Sequence, residues 1–238
     1  MKYEKKFKVN ISDINKFNRI RLSSLMTYFQ EAGTLHSDSV KDGIYYRDKN
    51  PGTWIIIGWR IKVFNRLKWN EEFTSTTWSR KLEKIYAYRD YKICDKNGDL
   101  VAIASSRWVF IEFKTNSIKV PPAGLLERYK SEDIPIFGVD EFKKLREPEN
   151  QKLVYSYAIK KRDIDWNDHV NNIAYIDMIQ EALAEDVEID EIEVLYKKEC
   201  KYGATVNVYC AEVGENEKVF TIKDKDTGAL HVIAWVRI

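Results

Sequence analysis

The stretch DIDWNDHVNN, residues 163–172, holds one of only three histidines in a chain of 238 residues. Asp165, Asn167 and His169 stand two apart. In an extended segment alternate side chains share a face. The spacing therefore predicts a carboxylate, an amide and an imidazole pointing one way, with Ile164, Trp166 and Val170 turned toward packing. Asn171 or Asn172 is suited to cap a helix that starts there. The first N–H groups of such a helix lack partners within it and suit an oxyanion developing beside His169. Imidazole, carboxylate and oxyanion donors together are what water attack on an acyl carbon needs. A plain polar helix cap would use the same residue types, so the segment alone leaves both readings standing.

Other hydrolytic chemistries find no support. There is no GxSxG elbow for an α/β-hydrolase serine and no HExxH for a zinc hydrolase. Cys94, Cys200 and Cys210 form no CxxC pair, which argues against a disulfide framework or a cysteine zinc site and for a reduced cytoplasm. No cofactor is expected. A net charge of +2 is too small for a dominant nucleic-acid role. The start, MKYEKKFKVN, has no apolar core of a signal peptide, and no run approaches the roughly 18 apolar residues of a membrane span. With 44% hydrophobic residues the chain can build a substantial core.

The elements that must position the polar cluster occur twice. Residues 7–32, FKVNISDINKFNRIRLSSLMTYFQEA, align without a gap on residues 157–182, YAIKKRDIDWNDHVNNIAYIDMIQEA. Asp13-Ile14 falls on Asp163-Ile164, and Gln30-Glu31-Ala32 on Gln180-Glu181-Ala182. RLKWNEEF (66–73) then lies over ECKYGATV (199–206), and DKNGDLVAIA (95–104) over DKDTGALHVIA (224–234). Three matches in one order read as a duplicated domain. His169 lands on Arg19, and Glu199 lands on Arg66. A group needed only for structure would tend to stand in both copies; these two stand in one, as a single active site per chain would leave them.

Each copy reads as a short strand, a helix and several long strands. The short strands are 5–11 and 153–160. In the first copy Leu22, Leu25, Met26 and Phe29 have helical spacing, and strands are expected near 53–66, 72–80, 84–95 and 100–113. In the second, Ile173, Ile176, Ile179 and Leu183 make the apolar stripe. KNG at 96–98 and DTG at 226–228 mark turns. One helix on antiparallel strands is an α+β layer pair. Expected boundaries are 1–117 for the first domain, 118–150 for a linker holding four of the five prolines and a short helix near 122–131, and 151–238 for the second domain.

DxNxHVNNxxY, from Asp165 to Tyr175, followed by Glu199-Cys200, resembles the acyl-acyl carrier protein (ACP) thioesterases of plant plastids and bacteria. The resemblance covers nearly the whole chain. It implies a tandem hotdog fold and hydrolysis of fatty acyl-ACP to free fatty acid. Carried over by position, it implies a catalytic set of Asp165, Asn167, His169 and Glu199. Asp168 stands where plant members commonly have glutamine, and Trp166 replaces a smaller apolar residue. The plastid extension of plant members is not seen, so a bacterial-type enzyme is expected.

Two mechanisms remain open. In one, a carboxylate (Asp165 or Glu199) and His169 deprotonate water, Asn167 orients a partner, and helix N–H groups hold the oxyanion. In the other, Cys200 is a nucleophile with His169 and Asn167. Strand alternation puts Glu199 and Cys200 on opposite sides, so one alone can meet His169, and Glu199 is favoured. The first copy, lacking histidine and glutamate, is expected to hold the acyl chain through Met26, Phe29, Trp54 and Ile57. Lys160, Lys161, Arg162, Lys197 and Lys198 could receive an acidic carrier protein. A homodimer is compatible with the resemblance. Rival functions are an acyl-CoA thioesterase, a hotdog hydroxyacyl dehydratase and a non-catalytic acyl-binding module.

Overall fold

A computed structural model describes residues 1–138 and 142–238 of the chain. Residues 139–141, inside the expected linker, lie outside the described residues. The chain divides into two compact units, Met1–Glu141 and Phe142–Ile238.

The first unit contains β1 (Lys2–Lys8), α1 (Leu22–Ser39), β2 (Gly52–Val63), β3 (Glu72–Glu83), β4 (Tyr86–Asp95), β5 (Leu100–Glu112), β6 (Ser117–Lys119) and α2 (Ala123–Glu127). Its strands are ordered β1-β3-β4-β5-β2, every pair antiparallel, with β6 beside β5. Leu25, Met26, Phe29 and Ala32 recur at helical spacing, so α1 presents one apolar face to the sheet, and all four are fully buried. Phe29 lies 6.4 Å from Trp59 and 5.4 Å from Tyr91, ring centre to ring centre. Each such buried side chain contributes about 1.5–3 kcal/mol, and truncating Phe29 to Ala would cost about 3–5 kcal/mol. The β4–β5 turn closes as the KNG signal predicts. Gly98 has φ +92°, which favours glycine, and the Asp95 carboxylate accepts the N–H groups of Asn97 and Asp99.

The second unit contains β7 (Lys152–Ala158), α3 (Asn172–Glu181), β8 (Glu191–Tyr196), β9 (Thr205–Gly214), β10 (Glu217–Asp224) and β11 (Leu230–Arg237). The order is β8-β11-β10-β9-β7, again antiparallel throughout. α3 has 10 residues against 18 in α1, so Leu183 lies beyond its end. Tyr175, Ile176, Met178 and Ile179 carry the buried face instead of the wider stripe expected. The helix is tied to the sheet at both ends. The Tyr196 hydroxyl donates to the Asn172 carbonyl (3.2 Å), and that of Tyr155 to the Met178 carbonyl (2.7 Å).

Each unit is thus a helix on an antiparallel sheet, the α+β hotdog arrangement. The segment expected as a linker divides between the units. Residues 118–138 pack on the first: Leu125 and Tyr129 are buried, and the Tyr129 hydroxyl reaches Asp42 and Ser37. Phe142 and Leu145 pack in the second against Leu195, Val219, Ile233 and Trp235. The short helix near 122–131 is α2.

Candidate active site

The His169 segment is not the extended strand that alternation assumed. Residues 161–163 form a single 3₁₀ turn whose Asp163 carboxylate takes the Lys160 N–H. Ile164 and Val170 then pair as a β-bridge, and the chain between them folds into a tight turn. The Asp165 N–H donates to the His169 carbonyl (2.8 Å), and Asp168 takes a positive φ of 64°. Asp165 Oδ1 accepts the Asn167 N–H at 2.8 Å and sits 3.5 Å from the His169 N–H. The Asp165 carboxylate therefore holds the turn that presents His169. Trp166, expected to pack inward, is 60% exposed because the turn points it outward. The Asn167 side chain is exposed and, among the described residues, makes no hydrogen bond.

Glu199 is not on a strand either. β8 ends at Tyr196, and Glu199 sits in the loop leading to β9. The two loops are stapled together by the Val170 N–H donating to the Cys200 carbonyl at 2.8 Å. Between them His169 Nε2 meets Glu199 Oε2 at 3.1 Å. Their side chains are 31% and 62% exposed, so the pair is joined and open to water.

The helix-end donors are fewer than expected. Asn171 is the N-cap, and its side chain accepts the Ile173 N–H at 2.9 Å. Val170, Asn171 and Ala174 spend their N–H groups on Cys200, Asp163 and Asn171. Of the amides at 170–174, that of Asn172 is left without a partner among the described residues.

Cys200 is 3% exposed, and its sulfur lies 3.9 Å from the Lys201 carbonyl oxygen. Burial pushes its thiol above the ordinary range, which keeps it protonated. Tyr175 lies against it, and burial likewise raises that phenol. A buried neutral thiol has little nucleophilic character. Among the described residues no group of three or more His, Cys, Asp and Glu side chains could hold a metal ion.

The first unit builds the same joint. The Asn15 N–H donates to the Arg19 carbonyl (2.9 Å), Asn15 Oδ1 accepts from Phe17 and Arg19, and Asn18 has φ 57°. The Ile20 N–H donates to the Leu67 carbonyl at 2.8 Å, matching Val170 and Cys200. Arg19 and Arg66 therefore occupy the places of His169 and Glu199. A guanidinium offers N–H donors and no acceptor, so two of them do not make an acid–base couple.

Of the residues expected at the acyl chain, Met26 and Phe29 lie in the closed core of the first unit. Trp54 and Ile57 are half-buried on β2, with the Trp54 indole N–H on Asp42 at 2.7 Å. Lys160, Lys161, Arg162, Lys197 and Lys198 are all exposed on the segments that carry or flank His169 and Glu199.

One contact to this site escaped the sequence reading: His231, on β11, holds the backbone beside Glu199 through Lys198. Its one signal was the repeat register, which sets a buried histidine opposite a buried valine.

The family model of the acyl-ACP thioesterase N-terminal domain matches residues 1–129, and that of the C-terminal domain matches residues 146–234. The chain belongs to the acyl-ACP thioesterase family. Among similar family members, the chloroplastic oleoyl-ACP thioesterase of Coriandrum sativum is 23% identical, over 93% of this chain and 66% of its own length. The chloroplastic palmitoyl-ACP thioesterase of Cuphea hookeriana is 25% identical, over 83% of this chain and 52% of its own. The chain thus spans about half to two thirds of the length of these plant relatives. An acyl-ACP thioesterase from Bacteroides thetaiotaomicron shares the fold with a TM-score of 0.89 at 21% identity, over 99% of this chain and 97% of that one. The 12:0-ACP thioesterase from Umbellularia californica does so with 0.82 at 16% identity, over 99% and 96%. Among the described residues no helix is long and apolar enough to cross a membrane.

Proposed function

We propose that the chain hydrolyses the thioester of a fatty acyl-ACP, releasing free fatty acid and the carrier thiol. The observation that carries this reading is the 3.1 Å contact between His169 Nε2 and Glu199 Oε2, on a water-accessible joint whose counterpart holds two arginines. Water oxygen attacks the thioester carbon while one of its protons passes onto the His169–Glu199 pair. The tetrahedral oxyanion draws on the Asn172 N–H. The intermediate then collapses, the carbon–sulfur bond breaks, and the proton goes to the leaving sulfur. Asp165 holds the turn that presents His169, and Asn167 has an uncommitted amide to orient water or carbonyl. Cys200, buried and protonated, takes no part.

In the same reading the first unit accommodates the acyl chain. Trp54 and Ile57, half-buried on β2, are better placed for that than Met26 and Phe29, which the core already uses. The exposed cations at 160–162 and 197–198 receive an acidic carrier protein. The three free cysteines fit a cytoplasmic setting, and sedimentation analysis would show whether two chains pair.

The test is thiol release from acyl-ACP and acyl-CoA across chain lengths, followed with a thiol reagent. Release that is faster from the carrier protein is the expected result. No release from any acyl thioester would leave a binding module or a dehydratase. Faster release from coenzyme A would move the substrate to acyl-CoA.

A further inference from the structure

His231 is a polar side chain in an apolar place. It stands on β11, is 4% exposed, and its neighbours Val232, Ile233 and Ala234 are all buried. The repeat shows what the fold itself asks for there. In the first unit the Phe64 N–H donates to the Val101 carbonyl at 2.8 Å; in the second the Lys197 N–H donates to the His231 carbonyl at 2.8 Å. Val101 and His231 are therefore equivalent, and valine, fully buried, meets the structural need.

The imidazole adds one contact that valine cannot make. His231 Nδ1 lies 3.0 Å from the Lys198 carbonyl oxygen. A carbonyl only accepts, so Nδ1 carries the proton and donates. Nε2 is then left buried with no hydrogen-bond partner among the described residues. An orphaned buried nitrogen opposes stability, so the substitution of valine by histidine is a loss for the fold unless the new bond serves the site.

That bond falls beside the reacting carboxylate. The carbonyl before Glu199, that of Lys198, is held by His231; the carbonyl after it, that of Cys200, is held by the Val170 N–H. Glu199 is exposed and lies outside any strand, so these two anchors are what fix its backbone against the His169 turn. The first unit keeps only one of them. Leu67 O is held by Ile20 N–H, whereas Asn65 O, the counterpart of Lys198 O, accepts no side-chain hydrogen bond among the described residues. The second anchor is present in the copy that has the acid–base pair and missing from the copy that has lost it.

We infer that His231 is a positioning residue, whose Nδ1–H bond to Lys198 fixes Glu199 against His169. Its kinetic arm rests on the thioesterase reading; its structural arm does not. The experiment compares His231→Val and His231→Asn in the full chain. Valine is the residue the fold uses at the equivalent place, and an Asn amide nitrogen can stand near the position of Nδ1. Four quantities are read: thermal midpoint, kcat and KM for thioester hydrolysis, and amide hydrogen exchange over residues 197–201. The expected result for His231→Val is an undiminished thermal midpoint, faster exchange in that loop, and kcat lower by roughly ten- to a hundredfold with KM little moved. His231→Asn should restore most of the rate and the slow exchange. Unchanged exchange or unchanged kcat in His231→Val overturns the assignment, as does a folded His231→Asn as impaired as His231→Val. A wild-type chain with no thioester hydrolysis would strike the thioesterase reading instead, and the exchange comparison would still decide the role of His231.

Discussion

At the residue scale the proposed chemistry rests on two side chains, His169 and Glu199, brought together from loops some thirty positions apart. His169 was visible as a histidine among acids and amides. Glu199 was not visible from its own surroundings, KKECK, which read as a surface segment; it emerged because the repeat sets Arg66 against it. What the sequence could not show was backbone shape. The segment is a tight turn, in which the strand alternation that would put Asp165, Asn167 and His169 on one face does not hold. The turn needs a residue tolerant of positive φ at 168, and Asp supplies it as Asn18 does in the first unit. Replacing His169 by Ala or Glu199 by Gln should lower kcat by about 10²–10⁴-fold with little effect on the thermal midpoint. Cys200→Ser should hydrolyse at near the wild-type rate, because the thiol is buried and held protonated. A collapse of its activity in a folded protein would restore the nucleophile mechanism.

At the scale of elements, the turn before α3 separates two duties of Asp165. Its carboxylate oxygen accepts backbone N–H groups, and Asn15 does the same for the first unit with an amide oxygen. Asp165→Asn should therefore keep the thermal midpoint, whereas Asp165→Ala should lose about 1 kcal/mol of stability. Any loss of kcat in the Asn variant then reports the charge of Asp165 and not the turn.

The first unit carries its own polar element under α1. His36 is fully buried, accepts from the Arg89 guanidinium through Nδ1 at 2.8 Å, and packs on Tyr3 and Tyr129. Burial, then the neighbouring Arg89 charge, lowers its pKa from the usual 6.5 to about 3. The unfolded chain thus binds a proton between those values that the folded chain does not. The contribution to stability is complete above about pH 6.5 and is lost as pH falls toward 3, at about 1.4 kcal/mol per pH unit. Urea unfolding between pH 4 and 7 should show a steeper rise of stability with pH in the wild type than in His36→Gln. Strand and helix positions were legible to within a few residues, since turn signals and β-branched runs are local. The ending of α3 before Leu183 was not, because the Gln180 side chain is engaged by the Val187 carbonyl from beyond the helix.

At the scale of the whole molecule, duplication is what made the sequence readable. Two copies of one fold, matched at their strands, turns and loop staples, turned isolated residues into comparisons. The proline-rich segment was harder: proline signals a break in regular structure but not which neighbour the chain packs on, and here each end buries apolar side chains on its own unit. Charge at this scale bears on the partner. If the cations at 160–162 and 197–198 receive an acidic carrier, reversing Lys160, Lys161 and Lys197 to Glu should raise KM for acyl-ACP and flatten its dependence on salt. The kcat for a small acyl thioester should not move. An equal effect on both substrates would place these residues in the fold and not at the partner.

The most direct measurement is a double-mutant cycle on acyl-ACP hydrolysis with His169→Ala, Glu199→Gln and the two combined, each checked for folding. One acid–base couple predicts that either single change removes most of the rate and that the double variant is scarcely slower than the worse single one. Additive losses, or a folded His169→Ala that hydrolyses at the wild-type rate, would contradict the account.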